Sequence, residues 1–234
     1  MHSDIGRTTP LILGHRGASI SHPENTLEAF AAAIAAGADG VELDVRRSAD
    51  DVLVVHHDAH LVDGRMVRDV AAADLPATVP SLAEALISVH DAFVNIEIKN
   101  SPSDSDHDAE MGVSAAVAAL VAGLGRYERR LVSAFELDSV LRIQAIDPGI
   151  AIGWLTMARD DPGSIIDHAA AHGLQAINPN DRQVDRAFVA LAHDAGLKVF
   201  VWTVDSAPRA LQLAEFGVDG IITNDPFGLV EAFR

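Results

Sequence analysis

The chain has no cysteine in its 234 residues. A disulfide framework, a thiol nucleophile and a zinc–thiolate cluster are thereby excluded. Basic residues are few: 17 Lys and Arg face 34 Asp and Glu, leaving a formal net charge of −17. Nucleic-acid binding by bulk charge needs a basic face, so no nucleic-acid partner is expected. No run reaches the roughly 18 apolar residues of a membrane span, and stable membrane insertion is not expected either. The opening MHSDIGRTTP is polar and lacks the apolar core of a signal peptide. The expected location is the cytoplasm. Aromatics make up only 5%, yet the hydrophobic fraction is 49%, which suits a large core and argues against disorder. The length fits one domain spanning residues 1–234. Composition says nothing of the oligomeric state.

Short β-rich apolar runs alternate with Ala/Leu-rich helical stretches. Strand candidates are LILG (11–14), VELDV (41–45), FVNIEI (93–98), RLVSA (130–134), AIGWL (151–155), QAIN (175–178), KVFVWTV (198–204) and GIIT (220–223). Between them lie helical segments such as LEAFAAAIAA, AEALISVH, AAVAALVAGL, SVLRIQAI, DRAFVALAHDA and RALQLAEF. That alternation is the sign of βαβ units and a parallel sheet. Eight units in 234 residues come to about 29 residues each, close to the ~30 of a βαβ step. The expected fold is an α/β (β/α)8 TIM barrel. The joints GADGV, HGLQA, AGLKV and GVDGI share one grammar, a Gly closing a helix just before a strand. Residues 100–108 (NSPSDSDHD) read as a mobile polar loop, and residues 59–80 as an irregular stretch too short for a separate domain.

Strand VELDV departs from the continuous apolar run of a buried parallel strand. Glu42 and Asp44 are two apart and share a face, while Val41, Leu43 and Val45 take the other. The apolar face suits the helix layer, so the acids face the barrel axis. FVNIEIKN repeats the pattern with Asn95, Glu97 and Lys99 on one face. Three carboxylates then converge near one barrel mouth, and such a group is costly unless neutralised. Oxygen-only ligands suit a hard divalent cation, Mg2+ or Ca2+.

Histidines form a second cluster. LGHRGAS puts His15 and Arg16 at the end of the first strand, the catalytic side of a barrel. VLVVHHD puts His56, His57 and Asp58 at the end of another apolar run. The link from Asp44 to Val52 is too short for a crossover helix, so it reads as a short hairpin extension after strand 2. A turn near Ala49 and Asp50 brings His57 level with residues 42–44. His2, His90, His107, His168, His172 and His193 read as ordinary surface or core residues, with His22 and His60 ambiguous. In PENTLEAF, Asn25 reads as a helix N-cap with Glu28 completing a capping box, and Glu24 and Asn25 lie near the first strand's mouth, within reach of the metal shell. Two imidazoles, three acids, Arg16 and Lys99 suit cleavage of a phosphate ester.

HRGAS, PENTLEAF, GADGVELDV, VLVVHHD and NIEIK, in that order and spacing, resemble the glycerophosphodiester phosphodiesterases. The likeness runs from about Leu11 to Pro226 and is most specific from Gly14 to Asp58. It implies a (β/α)8 barrel that hydrolyses glycerophosphodiesters to glycerol 3-phosphate and an alcohol. It implies His15 and His57 as the acid–base pair and Glu42, Asp44 and Glu97 as ligands of the divalent metal ion. Arg16 and Lys99 match the phosphate contacts, and Trp202 an aromatic near the glycerol end. The family's chemistry starts with attack by the glycerol 2-hydroxyl, giving a cyclic phosphate that water opens. The spacing to Asp58 selects His57 over His56. The shortness of residues 59–80 implies an open cleft and a broad choice of alcohol. Two other readings share these residues: a lysophospholipid-cleaving phospholipase D and a non-catalytic barrel that binds metal or phosphate. A metal-dependent aldolase or isomerase is a further use of the same fold.

Overall fold

The structure, a computed structural model, describes residues 9–89 and 91–234. Eight parallel strands close on themselves. They are β1 (Leu11–His15), β2 (Gly40–Arg47), β4 (Phe93–Ile98), β5 (Arg130–Ala134), β6 (Ala151–Thr156), β7 (Ala176–Pro179), β8 (Lys198–Val201) and β9 (Gly220–Thr223). Closure is made by β1, which pairs in parallel with both β2 and β9. The ninth strand, β3 (Leu53–Val55), stands outside the barrel and pairs antiparallel with the end of β2. The (β/α)8 fold and the hairpin after the second strand are both as expected.

Among the described residues, eight α-helices lie between and after the strands: α1 (Leu27–Ala35), α2 (Leu82–Ser88), α3 (Gly112–Leu124), α4 (Leu137–Ile146), α5 (Pro162–Ala171), α6 (Arg186–Asp194), α7 (Ala207–Phe216) and α8 (Pro226–Ala232). Short polar side chains start several of them. Ser81 and Glu84 form a reciprocal capping box at α2, and Asp161, Asp185 and Asp225 cap α5, α6 and α8. No helix among the described residues is long and apolar enough to cross a membrane.

Two apolar layers result from the period-two alternation of the strands. Outward residues such as Val41, Leu43, Val94, Ile96, Val132 and Ile177 are buried against the helices. Inward residues at the N-terminal ends of the strands, including Leu13, Phe93, Leu131, Phe200 and Ile222, form a separate apolar floor inside the barrel. Phe93 and Phe200 stack there with ring centres 5.7 Å apart. Going up the same inward columns, apolar residues give way to polar ones. Leu13 is followed by His15, Phe93 by Asn95 and Glu97, and Phe200 by Trp202. The floor thus fills one end of the barrel and leaves the other to chemistry.

Two expectations need correction. The run at 198–204 stays strand only to Val201, and Trp202 makes an isolated bridge to Asn180. Residues 100–108 carry more structure than their composition suggests. Asn100 and Asp108 bond each other twice, at 3.0 and 2.7 Å. Asp106 takes both its hydrogen bonds from Arg46 on β2, at 2.6 and 2.7 Å.

The floor gives a test of packing. A Cβ on Gly220 would run into the ring of Phe200. Gly220→Ala should therefore destabilise by about 1–3 kcal/mol, the usual cost of overpacking, read as a lower urea midpoint at unchanged slope. Phe200→Leu in the same chain should relieve part of that loss. An equal loss in both backgrounds would show that the floor does not set the glycine.

Candidate active site

Strand register decides which groups meet. His15 lies beside Glu42 across β1 and β2, and Glu42 beside Asn95 across β2 and β4. One step higher, Asp44 lies beside Glu97. Glu42, Asp44 and Glu97 are buried and present carboxylate oxygens within 4.8 Å of one another. The convergence expected from parity is what the barrel builds.

The neighbours of these acids are cationic. Lys99 Nζ lies 2.6 Å from Glu97 Oε1 and 3.4 Å from Asp44 Oδ1. Arg16 Nε lies 3.2 Å from Asp44 Oδ2, too poorly aligned to count as a hydrogen bond. The Arg16 backbone N–H donates to Glu42 Oε2 at 3.0 Å, and its guanidinium holds both oxygens of Glu24 at 2.9 Å. A left-handed turn at Arg16 and Gly17 makes these contacts possible. Gly17 has φ +83°, and a Cβ there would lie 2.5 Å from the backbone of Ala29. The HRG triplet thus has a local backbone reason as well as a chemical one.

Three acids against two cations leave a negative surplus. Burial, and then repulsion by Asp44 and Glu97, pushes the Glu42 carboxyl well above its usual range. Burial, and then Asp44, pushes Glu97 up to about 7 against the pull of Lys99. Burial would raise Asp44 too, but Lys99, Arg16 and His57 outweigh it and hold it below the ordinary value. Glu42 Oε1 and Asp44 Oδ1 are buried without a hydrogen-bond partner. Buried oxygens that lack a hydrogen bond, in an acid cluster of this size, fit a hard divalent cation.

Hairpin symmetry brings in the second imidazole. Val45 pairs with Val55, Arg46 with Val54 and Arg47 with Leu53, so the turn centres on Asp50 as expected. The His56 N–H donates to the Asp44 carbonyl at 3.0 Å, and His57 comes next, at the rim. His57 Nδ1 bonds Asp58 Oδ1 at 2.7 Å, and its side chain is 32% exposed. Burial, then Lys99 and Arg16, lowers its pKa against the pull of Asp44. Burial and Arg16 likewise lower that of His15.

A cleft of about 260 Å3 is lined by His15, Arg16, Glu42, His57, Glu97, Lys99 and Trp202. Every site residue named from the sequence except Asp44 lines it, and Asp44 lies beneath, in contact with Arg16 and Lys99. His56 is not part of the lining. Trp202 donates from Nε1 to the Asn178 carbonyl at 2.8 Å and meets Phe135 edge-on, 5.5 Å between centres. With Leu155 and Ile222 these rings form an apolar wall. His22 bonds Ser21 and His60 bridges Met66, and neither lines the cleft. His2 and His90 lie outside the described residues.

Asn25 is a correction. The N-cap of α1 is Thr26, whose Oγ1 accepts from Ala29 N at 3.1 Å. Asn25 instead adopts φ +59° and turns inward, donating from Nδ2 to Asp44 at 2.7 Å. Three other residues were missed. Arg46 is on the column of Glu42 and Asp44, so its inward aim follows from the same parity. It donates from Nε to the His57 carbonyl at 2.8 Å. Asn224 continues the inward column of Ile222 and bonds His15, and Asp205 bonds Asn224. No periodic signal marks Asp205, which lies in the loop after β8.

Fold and site define a barrel hydrolase with an acidic, imidazole-bearing mouth. Residues 15–227 match the glycerophosphoryl diester phosphodiesterase family, and the chain belongs to it. It is therefore an enzyme of the phosphodiester-hydrolysing class. It is 31% identical over 245 residues to a glycerophosphodiester phosphodiesterase of Caldanaerobacter subterraneus subsp. tengcongensis, covering 96% of this chain and 98% of that one. It is 30% identical over 238 residues to one of Bacillus altitudinis, covering 92% and 94%. The glycerophosphodiester phosphodiesterase of Thermotoga maritima superposes with a TM-score of 0.80 at 27% identity, over 96% of this chain and 98% of that one. An Oleispira antarctica phosphodiesterase, solved with the product sn-glycerol-3-phosphate, has the same fold at a TM-score of 0.85 and 24% identity, over 96% and 97%.

The support behind His57 is testable by its charges. Arg46 and Asp106 side chains are 4% and 6% exposed. Arg46→Met strands the Asp106 carboxylate and should destabilise by roughly 3–5 kcal/mol. Adding Asp106→Leu should recover most of that in urea unfolding. No recovery in the double variant would mean that the pair is not coupled.

Proposed function

We propose that this enzyme hydrolyses glycerophosphodiesters to glycerol 3-phosphate and an alcohol, with a divalent cation on the acids and proton transfer by His15 and His57. The observation that carries this is the meeting of three buried carboxylates, two of them with oxygens that lack a hydrogen bond, beside two imidazoles at one cleft. Glu42, Asp44 and Glu97 would hold Mg2+ or Ca2+, since oxygen-only donors suit either. The ion, when bound, supplies positive charge to the phosphoryl oxygens.

This chain's own residues supply the rest. The Arg16 guanidinium and the Lys99 ammonium hold phosphoryl oxygens and stabilise the charge that builds on them. The glycerol carbons pack on the wall of Trp202 and Phe135. One imidazole takes the proton of the attacking glycerol 2-hydroxyl as its oxygen bonds to phosphorus. The other gives a proton to the leaving alcohol oxygen as that P–O bond breaks. In the second half the exchange reverses: water loses a proton as it attacks the cyclic phosphate, and the 2-oxygen regains one. Each imidazole thus returns to its starting state.

Incubation with glycerophosphocholine, with and without chelator, tests this directly. Glycerol 3-phosphate should appear only when metal is available. His15→Ala and His57→Ala should each lower kcat about 10²- to 10⁴-fold. Turnover undiminished by both substitutions would remove the proton-transfer roles. Glu42→Ala or Asp44→Ala should weaken metal binding in calorimetric titration while the chain stays folded.

Burial of the Glu97 carboxyl, together with repulsion by Asp44, also predicts a pH dependence of the metal-free protein. The folded Glu97 holds its proton up to about 7, above its usual value, so the folded state binds more protons than the unfolded one. Stability from this group is then complete below about pH 4.5 and is lost as the pH rises through 7. The loss is on the order of 3 kcal/mol. Glu97→Gln should flatten the profile over that window, and saturating divalent metal should do the same to the unmodified protein. A profile that rises with pH across the window in the metal-free protein would contradict the assignment.

A further inference from the structure

We infer that Asp205, acting through Asn224, selects the tautomer of His15 and thereby makes it the imidazole that takes the first proton. This deepens the proposed hydrolysis and rests on it. His15 Nδ1 lies 2.7 Å from Asn224 Oδ1. The amide is not free to turn. Its Nδ2 donates to Asp205 Oδ2 at 2.8 Å, and an ionised carboxylate can only accept. The amide NH2 must therefore face Asp205, which leaves the amide oxygen facing His15. An amide oxygen is also only an acceptor, so the hydrogen in this contact belongs to His15 Nδ1. A neutral ring protonated at Nδ1 has a bare Nε2. Nε2 is the nitrogen turned toward the acids, 3.9 Å from Glu42 Oε2.

Further bonds lock the same arrangement. Asp205 Oδ1 accepts from the Asn224 backbone N–H at 2.7 Å and from the Thr223 hydroxyl at 3.0 Å. The Ser19 hydroxyl donates to Asn224 Oδ1 at 2.9 Å, a contact compatible with this arrangement although a hydroxyl can also accept. The opposite tautomer would set a ring lone pair against the amide oxygen. Flipping the amide to cure that would set the amide oxygen against Asp205 instead. Either arrangement loses a hydrogen bond and gains a repulsion.

In the proposed reaction the O–H bond of the glycerol 2-hydroxyl breaks and its proton goes to His15 Nε2. The electron pair left on that oxygen forms the new bond to phosphorus. The bond from phosphorus to the alcohol oxygen breaks with its electron pair on the oxygen, which takes a proton from His57. Asn224 and Asp205 do not line the cleft and act through His15, so they are positioning residues.

The test reads the ring itself. Full-length protein labelled with 15N-histidine, without substrate or metal, gives the His15 tautomer from multiple-bond 1H–15N spectra, with assignment by His15→Gln. The unmodified protein should show hydrogen on Nδ1. In Asp205→Asn the carboxamide can donate as well as accept, so Asn224 can turn and the Nε2–H form should appear. In Asp205→Asn and Asn224→Ala, kcat for glycerophosphocholine should fall roughly 10- to 100-fold, with KM within about twofold and an unchanged melting temperature for Asp205→Asn. An Nε2–H ring in the unmodified protein would overturn the inference, as would unchanged kcat and tautomer in Asp205→Asn. Full turnover in His15→Gln together with an Nδ1–H ring would instead overturn the proton-transfer role beneath it. The two failures are thus separable.

Discussion

Three carboxylates forced together at the mouth of a closed sheet are the constraint on which the rest depends. Register puts Asp44 beside Glu97, and the strand period puts Glu42 below Asp44 on the same side. None of the three can turn away without reversing a strand's faces and burying its valines or isoleucines in the wrong layer. The hydrophobic effect over the outer layer therefore holds the acids in place against their repulsion. Arg16 and Lys99 offset part of it, and Asn25 adds a neutral donor to Asp44. The remaining negative charge is what the proposed cation would neutralise.

Much of this was legible because it follows short-range rules. Alternation in VELDV and NIEIK gave the inward acids, since a strand has only two faces. The hairpin placed His57 because a turn centre fixes every pairing on both arms, and Asp50 is that centre. The illegible parts depend on distant partners or on one backbone angle. Asn25 has the chemistry of an N-cap, but a left-handed turn there moves the cap to Thr26 and frees the amide for Asp44. The polar stretch 100–108 looked mobile because composition cannot reveal that Asp106 meets Arg46, 60 residues earlier. Asn224 was within reach of the parity rule, since it follows Gly220 and Ile222 on one column. Asp205 was not, because a loop residue has no period.

The two imidazoles are held differently, and the difference bears on their tasks. His57 sits on a hairpin rim with its Nδ1 on the Asp58 carboxylate, which is exposed to solvent. His15 sits at a barrel strand's end with its Nδ1 on an amide. The Asp58 carboxylate at Nδ1 pulls toward the protonated ring, although burial, Lys99 and Arg16 outweigh it and lower the His57 pKa, whereas an amide oxygen holds a neutral ring in one tautomer without adding charge. In the proposed turnover the two rings take opposite roles, the donor at the rim and the acceptor deeper in the cleft. In the proposed reaction that division would suit an alcohol leaving from the rim with the glycerol against Trp202 and Phe135.

The apolar floor matters to the chemistry as well as to the fold. Leu13, Phe93, Leu131, Phe200 and Ile222 exclude water from below the site. Above them Asn95 and Ser133, level with Glu42 and Glu97, hold buried polar atoms with no hydrogen-bond partner. Charges backed by such an interior act over a low dielectric, where a guanidinium or ammonium stabilises phosphoryl charge far more than it would in water. The same lack of screening raises Glu42 and Glu97. The strain among the acids and the strength of the site toward a phosphodiester therefore have one source, and a substitution that wets the floor should weaken both together.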